Sequence, residues 1–125
     1  MQTSVKPAEG KLGIMIVGNG AVATTFMTGV LMTRRGLTKP IGSMTQYDKI
    51  RVGKGTEKKY LHYKDIVPLA SLDDIVFGTW DVYPQNAYQA AMYCEVLKEK
   101  DINPVKDELE KIKPMKAAFD KNYAK

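Results

Sequence analysis

The sequence has 125 residues, is 44% hydrophobic and carries a net charge of +5, so it is long enough for one compact domain with one core. With one cysteine, Cys94, and one histidine, His62, the chain cannot by itself form a disulfide or a closed Cys/His zinc site. Residues 1–11 lack the apolar core of a signal peptide and no apolar run is long enough to span a membrane, so we expect a cytoplasmic location without a membrane or metal partner.

The first predicted element is a strand at Leu12–Val17, LGIMIV, which follows a tail at residues 1–11. A short continuous apolar run of this kind is typical of a strand covered on both faces in a parallel sheet. A helix is predicted after the next glycines, and it continues to about Met32 before Gly36 ends it. Its apolar residues recur at helical spacing: Val22, Phe26 and Val30.

The middle of the chain is basic. Between Arg34 and Lys64 there are nine Lys or Arg residues and two acids, whereas from Asp65 onward eleven acids face eight lysines. Such a segment is a candidate for binding a polyanion. It lacks aromatic residues at stacking spacing, however, and its lysines fall in a hairpin-like stretch, RVGKGTEKKYLHY. We therefore favour a solvated loop surface and expect no nucleic-acid partner.

The second predicted buried strand is DDIVFGTWD, Asp73–Asp81. Pro84 then occupies the favoured first turn of a helix, and a further helix is expected between Pro104 and Ile112. The helix after Pro84 has one apolar stripe: Ala87, Ala90, Ala91, Cys94 and Leu97. This alternation predicts an α/β fold, with a Rossmann-like parallel sheet and helices on both faces, over residues 12–125.

The stretch GNGAVA joins the first strand to its helix in the pattern of a dinucleotide-binding turn. Gly18 would allow the tight turn, and Gly20 would let a pyrophosphate approach the backbone without meeting a Cβ atom. Ala23 would let the helix pack closely on the strand, while the free N–H groups of the first helical turn bind the anion. The alternative is a plain strand-to-helix turn.

One part of the usual dinucleotide fingerprint is missing. An acid that binds the ribose is expected about twenty residues after the glycines, but no acid occurs between Glu9 and Asp48. Arg34 and Arg35 would suit a 2′-phosphate, yet basic residues are favoured at a helix C-terminus in any case. The sequence therefore argues against an ordinary dehydrogenase.

Two specific motifs resemble a known family. GSMTQ at Gly42–Gln46 and GTWD at Gly78–Asp81, followed by the helix AYQAAMYCEVLKEKDI, resemble the N-terminal part of the inositol-3-phosphate synthases (myo-inositol-1-phosphate synthases). The resemblance extends from Leu12 through KIKPMKAAFDKNY. The glycine turn departs from the longer Gly-Gly-Asn-Asn-Gly form usual in eukaryotic members, although Thr24 and Thr25 match the family's paired threonines.

The resemblance implies a redox-neutral isomerase that converts glucose 6-phosphate to 1D-myo-inositol 3-phosphate. In that family the sugar is oxidised at C5 with a tightly held NAD, closed by an aldol attack and reduced again with the same cofactor. The family's catalytic lysines lie downstream of this region, so no catalytic residue is assigned, and the chain is expected to be part of a larger, homo-oligomeric (tetrameric) enzyme. The NAD-binding residues are expected to be Gly18, Asn19, Gly20, Ala21, Val22, Ala23, Thr24 and Asp81.

Asp81 is the candidate to replace the missing ribose acid. Ligands of doubly wound sheets lie beyond the carboxyl ends of the strands, and Asp81 stands at such an end. If it instead capped the next helix, Pro84 would occupy the third helical position, where it has no N–H to offer. The resemblance also places Asp81 on an aspartate associated with NAD, so we predict that it accepts a hydrogen bond from the adenosine side of the cofactor.

Two other function classes remain open from the sequence. One is an NAD(P)-binding piece of another oxidoreductase, which a downstream sequence without the family's lysine segments would favour. The other is a non-catalytic module whose basic segment binds an acidic partner, which salt-sensitive polyanion binding without a response to NAD would favour.

Overall fold

A computed structural model describes residues 5–123 of the chain. Its helices and strands, in chain order, are β1 (Leu12–Val17), α1 (Ala21–Arg34), α2 (Met44–Tyr47), β2 (Lys49–Val52), β3 (Lys59–His62), α3 (Tyr63–Ile66), β4 (Ile75–Asp81), α4 (Ala87–Cys94), α5 (Glu99–Ile102), α6 (Lys106–Leu109) and β5 (Met115–Lys116). Short 3₁₀ turns lie at Gly55–Glu57, Leu72–Asp74 and Asn103–Val105. Among residues 5–123, no helix combines the length and apolar character needed to cross a membrane.

The main sheet is parallel, with the strand order β1-β4-β5. β1 pairs with β4 from Leu12 opposite Ile75 to Val17 opposite Trp80, so the glycine turn and the end of β4 lie at the same edge. β5, which the sequence analysis did not predict, continues the sheet on the other side of β4. The parallel α/β class predicted from the sequence is confirmed. The basic segment forms the antiparallel hairpin β2–β3, as its glycines indicated, and this hairpin is a separate sheet.

One face of the sheet carries the hydrophobic core. α1 and α4 pack on each other and on this face, together with the segment from α5 to α6. Met27, Ile102 and Leu109 are fully buried at its centre, and burying a side chain of this size contributes about 1.5–3 kcal/mol. Ile16 of β1 and Phe77 of β4 pack against the same cluster.

The opposite face of the sheet is not covered by residues 5–123. We call this side of the sheet the uncovered face. The strand registers place five side chains on it: Met15, Val17, Val76, Trp80 and Met115. Met15 and Val76 are each 52% exposed and Val17 is 85% exposed. The interpretation of β1 as a strand covered on both faces is therefore wrong for the described residues, because all the packed helices lie on one side.

The helix predicted after the glycine turn is confirmed as α1, Ala21–Arg34. Of the three apolar residues whose spacing indicated this helix, Val22 is 85% exposed, Phe26 is 43% exposed and only Val30 is buried. The buried side is formed by Ala23, Met27 and Leu31. Two faces of α1 carry apolar residues at helical spacing, and the sequence does not show which face meets α4.

Three helix boundaries differ from the predictions. α4 ends at Cys94, before a left-handed Glu95, so Leu97 of its predicted stripe lies beyond the helix. α4 begins at Ala87 rather than at Pro84, because Asn86 and Gln89 form a capping box. The Asn86 side chain accepts the Gln89 N–H, and the Gln89 side chain accepts the Asn86 N–H. The stretch predicted as one helix from Pro104 to Ile112 is a 3₁₀ turn followed by the four-residue α6. Ala87, Ala90 and Ala91 of α4 and Leu109 of α6 are nevertheless buried.

Candidate functional site

The turn after β1 depends on glycine at its first position. Gly18 has φ +95°, a conformation that residues with a Cβ atom rarely adopt. Its N–H donates to the Trp80 carbonyl across 2.7 Å, which extends the β1–β4 pairing by one bond. The chain therefore leaves the sheet sharply and directs the next residues towards the start of α1.

The N-terminus of α1 is open. Gly20 is its N-cap residue, no side chain of residues 5–123 caps the helix, and its first turn contains no acid. The first helical bond runs from the Thr24 N–H to the Gly20 carbonyl, so the preceding N–H groups have no partner within the helix. A Cβ atom built on Gly20 would meet nothing within 4 Å. This end of the helix therefore offers free donors and open space to an anion.

The two threonines of the first turns bond to the helix itself. The Thr24 hydroxyl donates to the Gly20 carbonyl at 2.9 Å, and the Thr25 hydroxyl donates to the Ala21 carbonyl at 2.7 Å. Thr24 is also only 2% exposed. In this structure the Thr24 hydroxyl, predicted to bind the cofactor, supports the turn.

A shallow apolar cleft of about 530 Å³ lies beside the turn. It is lined by Ile16, Val17, Gly18, Gly20, Ala21, Val22, Ala23 and Phe26. Ala23 is nearly buried beneath it, as expected for close packing of α1 on the sheet, whereas Val22 stands exposed at its rim. The cleft can therefore provide an apolar wall next to the free N–H groups.

Asp81 joins the two loops at this edge of the sheet. Its Oδ2 accepts the Asn19 N–H at 2.6 Å, and its Oδ1 accepts the Tyr83 N–H at 2.9 Å. The Tyr83 bond and then the Asn19 bond lower the pKa of the Asp81 carboxyl below its ordinary value. Because Asn86 caps α4, Asp81 is not that helix's cap.

Asn19 makes the second link between the loops. It is 4% exposed, and its Nδ2 donates to the Gln85 carbonyl at 3.1 Å. Its Oδ1 is buried and has no hydrogen-bond partner among the described residues. Asn19 was predicted as part of the glycine motif, but its link to Gln85 was not, because nothing in the sequence around Gln85 marks it as a partner.

A second cleft, of about 470 Å³, lies on the α4 side of the turn. Its lining residues are Asn19, Gly20, Asp81, Tyr83, Gln85, Ala90, Tyr93 and Cys94. Gly20 therefore lines both clefts. The structure brings the predicted cofactor-binding residues, Gly18 to Thr24 and Asp81, close together around it.

The arginines considered for a 2′-phosphate have other partners. Arg34 donates from Nε to the Leu72 carbonyl at 2.6 Å and also contacts the Ile75 carbonyl. Arg35 binds the carboxylates of Asp107 and Glu108 at 2.7 Å. Both lie at the far end of α1 from the glycine turn, so neither suits a phosphate held there.

Known proteins resemble this chain in sequence. Residues 12–125 match a family model described as myo-inositol-1-phosphate synthase. The model itself is named as an NAD-binding family. The chain is 60% identical over 126 residues to inositol-3-phosphate synthase 1 of Bacteroides thetaiotaomicron, an alignment that covers 100% of this chain and 29% of that protein. It is 34% identical over 128 residues to inositol-3-phosphate synthase isozyme 1 of Arabidopsis thaliana, covering 90% of this chain and 24% of the relative.

The backbone also resembles a solved structure. The crystal structure of inositol-3-phosphate synthase from Caenorhabditis elegans superposes with a TM-score of 0.77 at 24% identity, over 92% of this chain and 25% of the other. At this identity the likeness supports the fold alone. The chain thus spans about a quarter of the length of the proteins it matches, between 24% and 29% for the curated relatives described above.

Proposed function

The chain belongs to the myo-inositol-1-phosphate synthase family, and we propose that it serves the conversion of glucose 6-phosphate to 1D-myo-inositol 3-phosphate as part of a longer protein. Membership confirms the resemblance carried by GSMTQ and GTWD, and it confirms NAD as the cofactor. It also argues against the alternative of an NAD(P)-binding piece of another oxidoreductase. Residues 12–125, which the family model matches, are the proposed NAD-binding domain.

The observation that carries the proposal is the open N-terminus of α1. Its uncapped first turn and the empty space around Gly20 fit a pyrophosphate, whose negative charge the free N–H groups and the helix dipole would stabilise. We propose that backbone atoms from Gly18 to Ala23 hold that group. Val22 and the apolar cleft beside it would exclude water from the bound molecule. When bound, NAD supplies the reversible hydride transfer of the reaction.

Asp81 remains the predicted contact on the adenosine side. Each of its carboxylate oxygens accepts one backbone N–H, and each keeps capacity for a further hydrogen bond. Asp81 also lines the second cleft, so a ribose hydroxyl entering that cleft would reach the carboxylate.

The remaining parts of the proposal concern the whole protein. We propose that glucose 6-phosphate is its substrate, that it is a homo-oligomer (tetramer) and that it is cytoplasmic, a location that the free thiol of Cys94 suits. Proton transfer and control of the enolate charge are assigned to residues outside this chain. The role of the residues described here is to bind and orient the cofactor.

A chimera tests the proposed function directly. This chain would replace the corresponding 126-residue segment of the Bacteroides relative, with which it is 60% identical. We expect the purified chimera to convert glucose 6-phosphate to an inositol phosphate, followed by ³¹P NMR, and to lose this activity when Gly20 is replaced by valine. A folded, NAD-binding chimera without product would contradict the proposed activity.

A further inference from the structure

We propose that Asp81 is a positioning residue that fixes the glycine turn, so that the backbone N–H groups after Gly18 converge on a phosphate. The inference rests on the proposed function, because the phosphate is that of the NAD pyrophosphate. It assigns Asp81 a role beyond any contact with the cofactor. The role is exerted through Asn19, whose N–H is held at 2.6 Å.

The bond to Asn19 acts at the centre of the turn. Asn19 lies between Gly18, which has φ +95°, and Gly20, which begins α1. Glycine on both sides leaves this backbone with many accessible conformations. A charge-assisted hydrogen bond at the middle residue selects one of them and thereby sets the direction of the N–H groups that follow.

The other bonds make the turn and the β4–α4 connection one unit. Asp81 also holds the Tyr83 N–H, and the Asn19 side chain holds the Gln85 carbonyl. Gly18 is bonded in addition to the Trp80 carbonyl. These bonds join the connection to the glycine turn at several points.

The chemistry requires a carboxylate at this position. Both N–H groups point at the same side chain, and only an acid presents two oxygens that act purely as acceptors. Asparagine would oppose one N–H with its own NH₂ group. A negative charge close to a pyrophosphate would repel it, so a role in positioning, and not charge attraction, explains how an acid assists phosphate binding here.

Inorganic pyrophosphate separates positioning from direct contact, because it carries no ribose for Asp81 to bind. The test titrates pyrophosphate and NAD into the 125-residue chain, its Asp81→Ala and Asp81→Asn variants and the control Asp65→Ala, with folding checked by circular dichroism. Asp65 also accepts a backbone N–H, from His62, but lies in α3. Amide hydrogen exchange at Asn19 and Gly20 is measured in the same samples without ligand.

We expect Asp81→Ala to weaken pyrophosphate binding about tenfold, Asp81→Asn to weaken it less, and Asp65→Ala to leave it unchanged. The Asn19 and Gly20 amides should exchange faster only in the Asp81 variants. Unchanged or tighter pyrophosphate binding by Asp81→Ala would overturn the inference, since loss of a negative charge alone favours an anion. Wild-type chain that binds pyrophosphate but not NAD would refute the proposed function and leave the positioning role standing.

Discussion

The Asn19 N–H donates to the Asp81 carboxylate across 2.6 Å, although the two residues lie 62 positions apart in the sequence. The parallel register explains their meeting, because Val17 at the end of β1 lies opposite Trp80 near the end of β4. The next residues of both strands therefore emerge side by side. The glycine motif and the GTWD motif, separate in the sequence, thus form one site.

Replacing Gly20 with valine should abolish NAD binding. The open space around Gly20 is where the pyrophosphate is proposed to lie, and a branched side chain would fill it. Gly20 has φ −97°, which valine tolerates, so the fold should survive. Isothermal titration with NAD measures the effect, and Gly42→Val, at another glycine with open space around it, is the matched control. If Gly20→Val binds NAD like the wild type, the stretch is only a turn.

Replacing Gly18 with alanine should destabilise the fold. Its φ of +95° lies in a region that costs residues with a Cβ atom about 1–3 kcal/mol. Urea denaturation would report this as a lower free energy of unfolding. Gly42→Ala, without a positive φ, should change it little. Equal stabilities of the two variants would show that the turn relaxes without strain.

The low pKa of Asp81 predicts a pH-dependent contribution to stability. The folded state favours the charged carboxylate, chiefly through the Tyr83 and Asn19 N–H groups. Its contribution is therefore complete above the ordinary pKa of 3.8 and is lost as the pH falls through the lower folded value. The difference in unfolding free energy between wild type and Asp81→Asn should be constant near neutral pH and shrink below about pH 4. A difference that does not change down to pH 2 would contradict this.

The sequence predicted the elements that place the site. The apolar run before Gly18 and the small residues after it predicted β1 and the start of α1, and the second apolar run placed Asp81 at the end of β4. These features are local, so they can be recognised without tertiary information. The link between Asp81 and Asn19 depends on strand register, which no single segment of sequence specifies.

The structure differs from the sequence-based prediction at the start of α4 and in the buried face of α1, for two different reasons. Pro84 suggested a helix start, whereas the capping box of Asn86 and Gln89 marks the true one. In α1, by contrast, two faces of the helix are apolar, one with Val22 and the other with Met27. The packing of α4 decides that the Met27 face is buried. The latter choice is tertiary and was not available from the helix alone.

The chain alone should not turn over glucose 6-phosphate. In the proposed function the residues of this chain bind and orient NAD, and proton transfer is assigned to residues outside it. Incubating the purified 125-residue chain with NAD and the sugar phosphate should give no inositol phosphate by ³¹P NMR. Product formation would show that the chain contains its own proton-transfer groups.

The uncovered face of the sheet should make the isolated chain self-associate. Met15 and Val76 are each 52% exposed on this face, beside the more exposed Val17, and a contiguous apolar surface of this kind favours contacts between copies. A charge on this face would have to be desolvated in such a contact, so Val76→Lys should lower the degree of association measured by sedimentation velocity. The control is Val96→Lys, because Val96 is 58% exposed but lies between α4 and α5 and belongs to no strand. Equal association of the two variants would mean that another surface joins the copies. A wild-type chain that stays monomeric at high concentration would show that the face is tolerated in water.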